Sequence, residues 1–105
     1  MEYQFTSRNF QQEVLDSKQP VLVDFYANWC GPCRSMMPTI AQLADEYNGR
    51  VKVGKVNSDE EPELARQFGV MSIPAFFILK DGKIVDQMVG AMPKPALEQR
   101  LNAQL

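Results

Sequence analysis

The chain has 105 residues and a mass of 11.9 kDa, of which 45% is hydrophobic and 10% aromatic; that is one domain's worth, 1–105, with apolar matter enough for a core without disulfide staples and too much for a disordered chain. Its 11 basic and 13 acidic residues leave a net charge of −2 with both signs interspersed, which excludes the basic stripe of a nucleic-acid binder and the polybasic segment drawn to anionic membranes. No apolar run nears the ~20 residues of a membrane span, and the complete absence of histidine removes imidazole as base, metal ligand or pH switch.

The opening stretch MEYQFTSRNF has neither the basic nor the apolar region of a signal peptide, so the chain reads as cytosolic. Within it, Tyr3 and Phe5 alternate with polar residues as in a short strand. Ser7 is placed to cap a brief helix carrying Phe10, Val14 and Leu15 on one face, and Gln19-Pro20 breaks it. VLVDFYA, residues 21–27, is apolar on both faces and predicts a central strand covered by helices on either side. After the cysteines, Met36, Ile40, Leu43, Ala44 and Tyr47 recur at helical spacing, with Gly49 as the stop and Pro38 as a kink. VKVGKVN is a third strand. Ser58 and Glu61 have capping-box spacing ahead of a helix buried through Leu64 and Phe68 and ended by Gly69.

AFFILK and KIVDQMV flank Asp81-Gly82, a hairpin signal. Leu97, Leu101 and Leu105 form one stripe of a last helix begun near Pro93 or Pro95. Strands alternating with helices imply an α/β fold with parallel pairing by right-handed crossovers, and the hairpin adds an antiparallel edge to make a mixed sheet with helices on both faces.

The stretch DFYANWCGPCRSMMP, residues 24–38, holds both cysteines of the chain. They stand where a buried strand ends and a helix begins, the usual place for active sites in open α/β sheets. Unpaired N–H groups and the helix dipole there stabilise a thiolate at Cys30. Spacing i, i+3 puts the two Cβ atoms ~5–6 Å apart, and a disulfide needs roughly 3.5–4.5 Å, so a slight tightening of the first turn closes the bond. Gly31 leaves that turn unobstructed, and Pro32 sets φ at the helix start without wasting a donor. Three other readings are weaker. A structural disulfide across so short a loop constrains little of the unfolded chain and is out of place in the cytosol. A zinc site needs about four ligands, and two thiols with no histidine supply too few unless two copies share it. Two inert core cysteines do not suit so turn-like a segment. A redox pair is the reading that stands. Pro32 has no donor to stabilise the reduced form, as a histidine there would, which makes the pair a reductant.

Asp24 shares a strand face with Leu22 and Tyr26, and Lys55 shares parity with Val51 and Val53. Parity points both inward; a solvated strand end for Asp24 and an outward Lys55 remain open on the residues alone. Trp29, directly before a reactive cysteine, reads as the rim of a site. Pro74 opens a strand, and most X–Pro bonds are trans.

VLVDFYANWCGPC, Pro38, Lys55, SIPAFFILKDGK and the Val-Gly-Ala of residues 89–91 together resemble the thioredoxin family, in its order and spacing and over essentially the whole chain. The resemblance implies a mixed five-stranded sheet flanked by about four helices, and a cis bond before Pro74, facing the cysteines. It implies that Cys30 is the nucleophile and Cys33 the resolving thiol, with Gly31 and Pro32 between them, Asp24 transferring protons to and from Cys33, and Lys55 tuning Asp24. Substrate would contact Trp29, Met71, Ser72, Ile73, Gly90 and Ala91, the 71–72 backbone bonding an extended peptide. The implied activity is general protein-disulfide reduction. The partners would be disulfide-containing proteins and a thioredoxin reductase that carries FAD and consumes NADPH; this chain would bind no cofactor and no metal and act as a monomer. Arg34, Tyr26 and Ser58 depart from the residues common in the family, and Pro93 and Pro95 stiffen the start of the last helix; none touches the chemistry. A disulfide oxidase or isomerase, and a binding subunit using the same surface without turnover, are the competing functions. The missing histidine and signal peptide weigh against the first, and exchange of both cysteines for serine separates the second.

Overall fold

The computed structural model describes residues 1–105. In chain order the elements are β1 (Glu2–Gln4), a short π-helical segment (Gln11–Leu15), β2 (Val21–Tyr26), α1 (Gly31–Glu46), β3 (Lys52–Asn57), α2 (Pro62–Gln67), β4 (Ala75–Lys80), β5 (Lys83–Val89) and α3 (Lys94–Asn102). The five strands form one mixed sheet in the order β1-β3-β2-β4-β5, as the family resemblance implies.

β1, β3 and β2 run parallel, with Asp24 of β2 in register with Lys55 of β3. The fourth strand departs from the expectation of parallel crossovers: β4 pairs antiparallel with β2, Ala75 opposite Phe25 and Leu79 opposite Val21. The reason is length. α2 has 6 residues, about 9 Å at 1.5 Å per residue, against roughly 20 Å for a strand of that number. It does not carry the chain back along the sheet, so β4 enters near the end where β3 left and runs in reverse. β5 then returns antiparallel to β4 through Asp81-Gly82, both at positive φ (55° and 77°), the hairpin turn that the dipeptide predicts.

Each sheet face is covered. Leu22, Val53, Phe76, Ile78 and Met88 pack with Met36, Ile40 and Leu43 of α1 and Leu97 and Leu101 of α3. On the other face Val21, Val23, Phe25, Val56, Ala75, Phe77 and Leu79 pack with Phe5, Phe10, Val14 and Leu64. Gly54 of β3 admits this arrangement, because a Cβ there would sit 2.5 Å from the Phe5 ring and 2.8 Å from Tyr3 Cβ.

Local details correct three sequence expectations. Ser7 is not a cap: its N–H donates to Glu61 Oε1 (2.9 Å), and the turn into the π-helical segment is held by Asn9, whose Oδ1 accepts from the Thr6 N–H at 2.8 Å. The Ser58–Glu61 capping box does not form, because Pro62 sets the start of α2 and Asn57 Oδ1 accepts from the N–H groups of Asp59 (3.0 Å) and Glu60 (3.3 Å) instead. Pro38 stands exposed inside α1, where the sequence pattern places it, and the helix runs on to Glu46. Leu105 lies beyond the end of α3 and is exposed, so the apolar stripe stops at Leu101.

Candidate functional site

β2 ends at Tyr26, and four residues later Cys30 caps α1. Its backbone is extended (φ −85°, ψ 112°), and its Sγ accepts a hydrogen bond from the Cys33 N–H at 3.2 Å. Cys30 N–H donates to Ala27 O (3.2 Å) and Arg34 N–H to Cys30 O (3.0 Å), which fixes the turn on both sides. The two cysteines are joined by a disulfide with a Cα–Cα separation of 5.2 Å. Gly31 and Pro32 occupy the first two positions of α1, so the proline's missing N–H falls where helices have no partner for it. Cys30 is 5% exposed and Cys33 1%. Both pack with Tyr26 and Ala27 at the end of β2, and Met37 and Ile73 close over that cluster.

The segment before β4 supplies the opposing wall. The Ile73–Pro74 bond is cis, where the residues alone would favour trans. Pro74 is buried, and the Ile73 carbonyl oxygen lies 3.8 Å from Cys30 Sγ. Gly90 N–H donates to Pro74 O at 2.8 Å, so residues 90–91 are tied to the same loop. Met71 (96% exposed), Ser72 and Ala91 stand open to solvent. Trp29 is 69% exposed, and its indole Nε1–H donates to Asp59 Oδ2 at 2.9 Å. The expected rim residue is therefore held in one orientation by a carboxylate that no spacing in the sequence pairs with it.

Asp24 is 3% exposed, on the α1 face of the sheet, and its Oδ1 has no hydrogen-bond partner. Burial pushes its carboxyl up to about 7, Glu2 on β1 adds to the rise and Lys55 opposes it. Lys55 is half-buried on the same face, with its ammonium 5.3 Å from the centre of the Tyr26 ring. Lys55 thus acts on Asp24 as a nearby charge. Glu2 is a contributor that sequence reasoning missed, since only the sheet order brings β1 into this neighbourhood. Asp59, Met37 and Glu2 have no motif of their own.

No group of three or more His, Cys, Asp or Glu side chains gathers where it could hold a metal, and no helix is long and apolar enough to cross a membrane. What the arrangement offers is a dithiol–disulfide couple at a helix N-terminus, walled by a cis-proline loop.

Comparison with known proteins gives the same result from outside the structure. The thioredoxin family model matches residues 2–103. A thioredoxin from Chlorobaculum thiosulfatiphilum is 50% identical over 103 residues, covering 98% of this chain and 95% of that protein. Thioredoxin 1 from a Nostoc species is 53% identical over 102 residues (97% and 95%). A thioredoxin from Porphyra purpurea is 48% identical over 99 residues (94% and 92%). Likeness of this extent, with a Cys30–Cys33 disulfide at the site, leaves one conclusion: the chain belongs to the thioredoxin family, thiol–disulfide oxidoreductases that reduce protein disulfides.

Proposed function

We propose that this chain, acting as one domain over residues 1–105, reduces protein disulfides with Cys30 as attacking and Cys33 as resolving thiol. Cys30 thiolate attacks one sulfur of a substrate R–S–S–R′, forming Cys30–S–S–R and expelling R′–S⁻. Cys33, deprotonated, then attacks Cys30 Sγ, closing the intramolecular disulfide and expelling R–S⁻. Two electrons pass to the substrate, and its two sulfurs take up the protons. The observation that carries this reading is the Cys33 N–H pointing at Cys30 Sγ at 3.2 Å, a donor that stabilises negative charge on that sulfur.

Asp24 is the group that takes the Cys33 proton. A carboxyl raised to about 7 is divided between its two forms near neutrality, which suits a group that must both accept and return a proton. Lys55 limits that rise. Trp29, Met71, Ser72, Ile73, Gly90 and Ala91 form the contact surface around Gly31, Pro32 and Pro74, shallow and mostly apolar. Exposed Met71 and Trp29 support this role, since large apolar side chains left in solvent around a reactive centre mark a docking site. The dithiol is regenerated by an NADPH-dependent flavoprotein, thioredoxin reductase; NADPH and FAD belong to that partner. The cytoplasm, where thiols are kept reduced, is the compartment this chemistry fits, and the working form is a monomer.

Equilibration with graded glutathione mixtures, followed by trapping and mass-counting of free thiols, tests the direction. The disulfide should yield only in strongly reducing mixtures. Persistence only in strongly oxidising ones would make the pair an oxidase. Cys30→Ser and Cys33→Ser should each abolish turnover; retained function in both would mark a binding subunit.

A further inference from the structure

Cys33 lies in the first turn of α1, beside open surface, yet is 1% exposed. Its cover has identifiable parts. Tyr26 and Ala27 close it from β2, Ile73 sits on the Cys30 side, and Met37 packs against the cluster from α1 itself. Met37 is four residues beyond Cys33 and therefore on the same helix stripe. Helical side chains lean toward the N-terminus, so a long arm at 37 lies over the turn that carries residue 33. Its helix neighbours do other things: Arg34, Ser35 and Pro38 are exposed, and Met36 enters the core with Ile40 and Leu43. Met37 itself is partly buried, at the border between core and solvent.

We propose that Met37 is a positioning residue that shields Cys33. Its thioether arm closes the solvent approach to Cys33 Sγ, so that Cys30 alone meets an incoming disulfide and Cys33 reacts only inward, with Cys30 Sγ. The Cys33 N–H already favours thiolate at Cys30, and access adds a second distinction between the two sulfurs at one helix N-terminus. An unbranched, flexible thioether fills such an irregular border position well. The inference rests on the assignment of Cys30 as attacker and Cys33 as resolver.

The test uses the fully reduced protein, pulsed with limiting iodoacetamide, with modification of each cysteine followed by peptide mass. Met37→Leu, Met37→Val and Met37→Ala form the series. Leu should match the parent, Val should be intermediate, and Ala should raise the Cys33 rate about tenfold with Cys30 unchanged within about twofold. A flat Cys33 rate across the series overturns the shield. Should Met37→Ala loosen the whole fold, seen as a lowered Tm and equal modification of both thiols, the Leu–Val pair decides on the same criterion. If the parent is alkylated first at Cys33, the role assignment itself fails, a result distinct from a flat series in a protein that reacts first at Cys30.

Discussion

The face of the sheet under the π-helical segment and α2 is closed by phenylalanines: Phe10, Phe25, Phe68 and Phe77 meet edge-on or tilted at ring separations of 5.0–5.5 Å, and Phe5 joins them through Phe10 at 6.4 Å. The face under α1 and α3 holds aliphatic side chains, a carboxyl group with an unpartnered oxygen, a half-buried lysine and the disulfide. Both belong to one sheet, a strand's thickness apart. The first gains from every contact: apolar area leaves water and ring quadrupoles align. The second tolerates a group whose ionisation opposes folding, the carboxyl proposed above to take the Cys33 proton. Side-chain parity separates the two faces: odd residues of β2 enter the phenylalanine-lined face, and even residues enter the face that adds a buried carboxyl group to its aliphatic core.

The largest effect should come from the aromatic face. Phe77→Ala removes the ring that touches both Phe25 and Phe68 and should cost about 3–5 kcal/mol of unfolding free energy, while kcat of the surviving folded protein stays close to the parent. Urea denaturation and a disulfide-reduction assay, run together, check this. A large loss of kcat without loss of stability would erase the distinction between the faces.

Asp24→Asn should act in the opposite sense. The native Asp24 binds its proton up to about pH 7, against an ordinary aspartate value of 3.8, so between these values the native state holds more protons than the unfolded one and stability falls as pH rises. Above pH 7 the full penalty applies; below 3.8 there is none. Asparagine removes it, so the variant should gain up to about 4 kcal/mol at pH 8 over its difference from the parent at pH 3, with slower disulfide closure by Cys33. Chemical denaturation at the two pH values measures the gain, and an equal difference at both would remove the buried charge from the account.

Asp59→Ala is the smallest change. It frees the Trp29 indole from its hydrogen bond and should raise KM for a protein disulfide by about two- to fivefold, the worth of one exposed hydrogen bond of roughly 0.5–1 kcal/mol. Turnover of a small aromatic disulfide and Tm should hardly move. Equal loss on both substrates would mean that Trp29 orientation serves the chemistry and not docking.

Much of this was legible in the sequence, for physical reasons that differ by element. β2 announced itself as a doubly covered strand through VLVDFYA, and Asp81-Gly82 as a hairpin turn, because patterning and positive-φ chemistry are local. The cysteine pair was readable because Gly31, Pro32 and the i, i+3 spacing act within one helical turn. The failures were also local signals, outcompeted by neighbours. Ser58 and Glu61 have capping-box spacing, yet Asn57 took the N–H groups and Pro62 took the helix start.

Sequence alone determined the alternation of elements and the redox chemistry of Cys30 and Cys33, and by parity it favoured an inward Asp24, whose burial the structure decided. Tertiary structure decided the reversal of β4, since only the reach of α2 against the sheet length dictates where the chain re-enters. It decided the setting of Asp24 too, through Glu2 from one strand and Lys55 from another, and the anchoring of Trp29 by Asp59, 30 residues away. Local preference is written over a few residues and can be read there. Burial, charge and orientation at the site are sums over segments distant in sequence, and they exist only once the sheet is assembled.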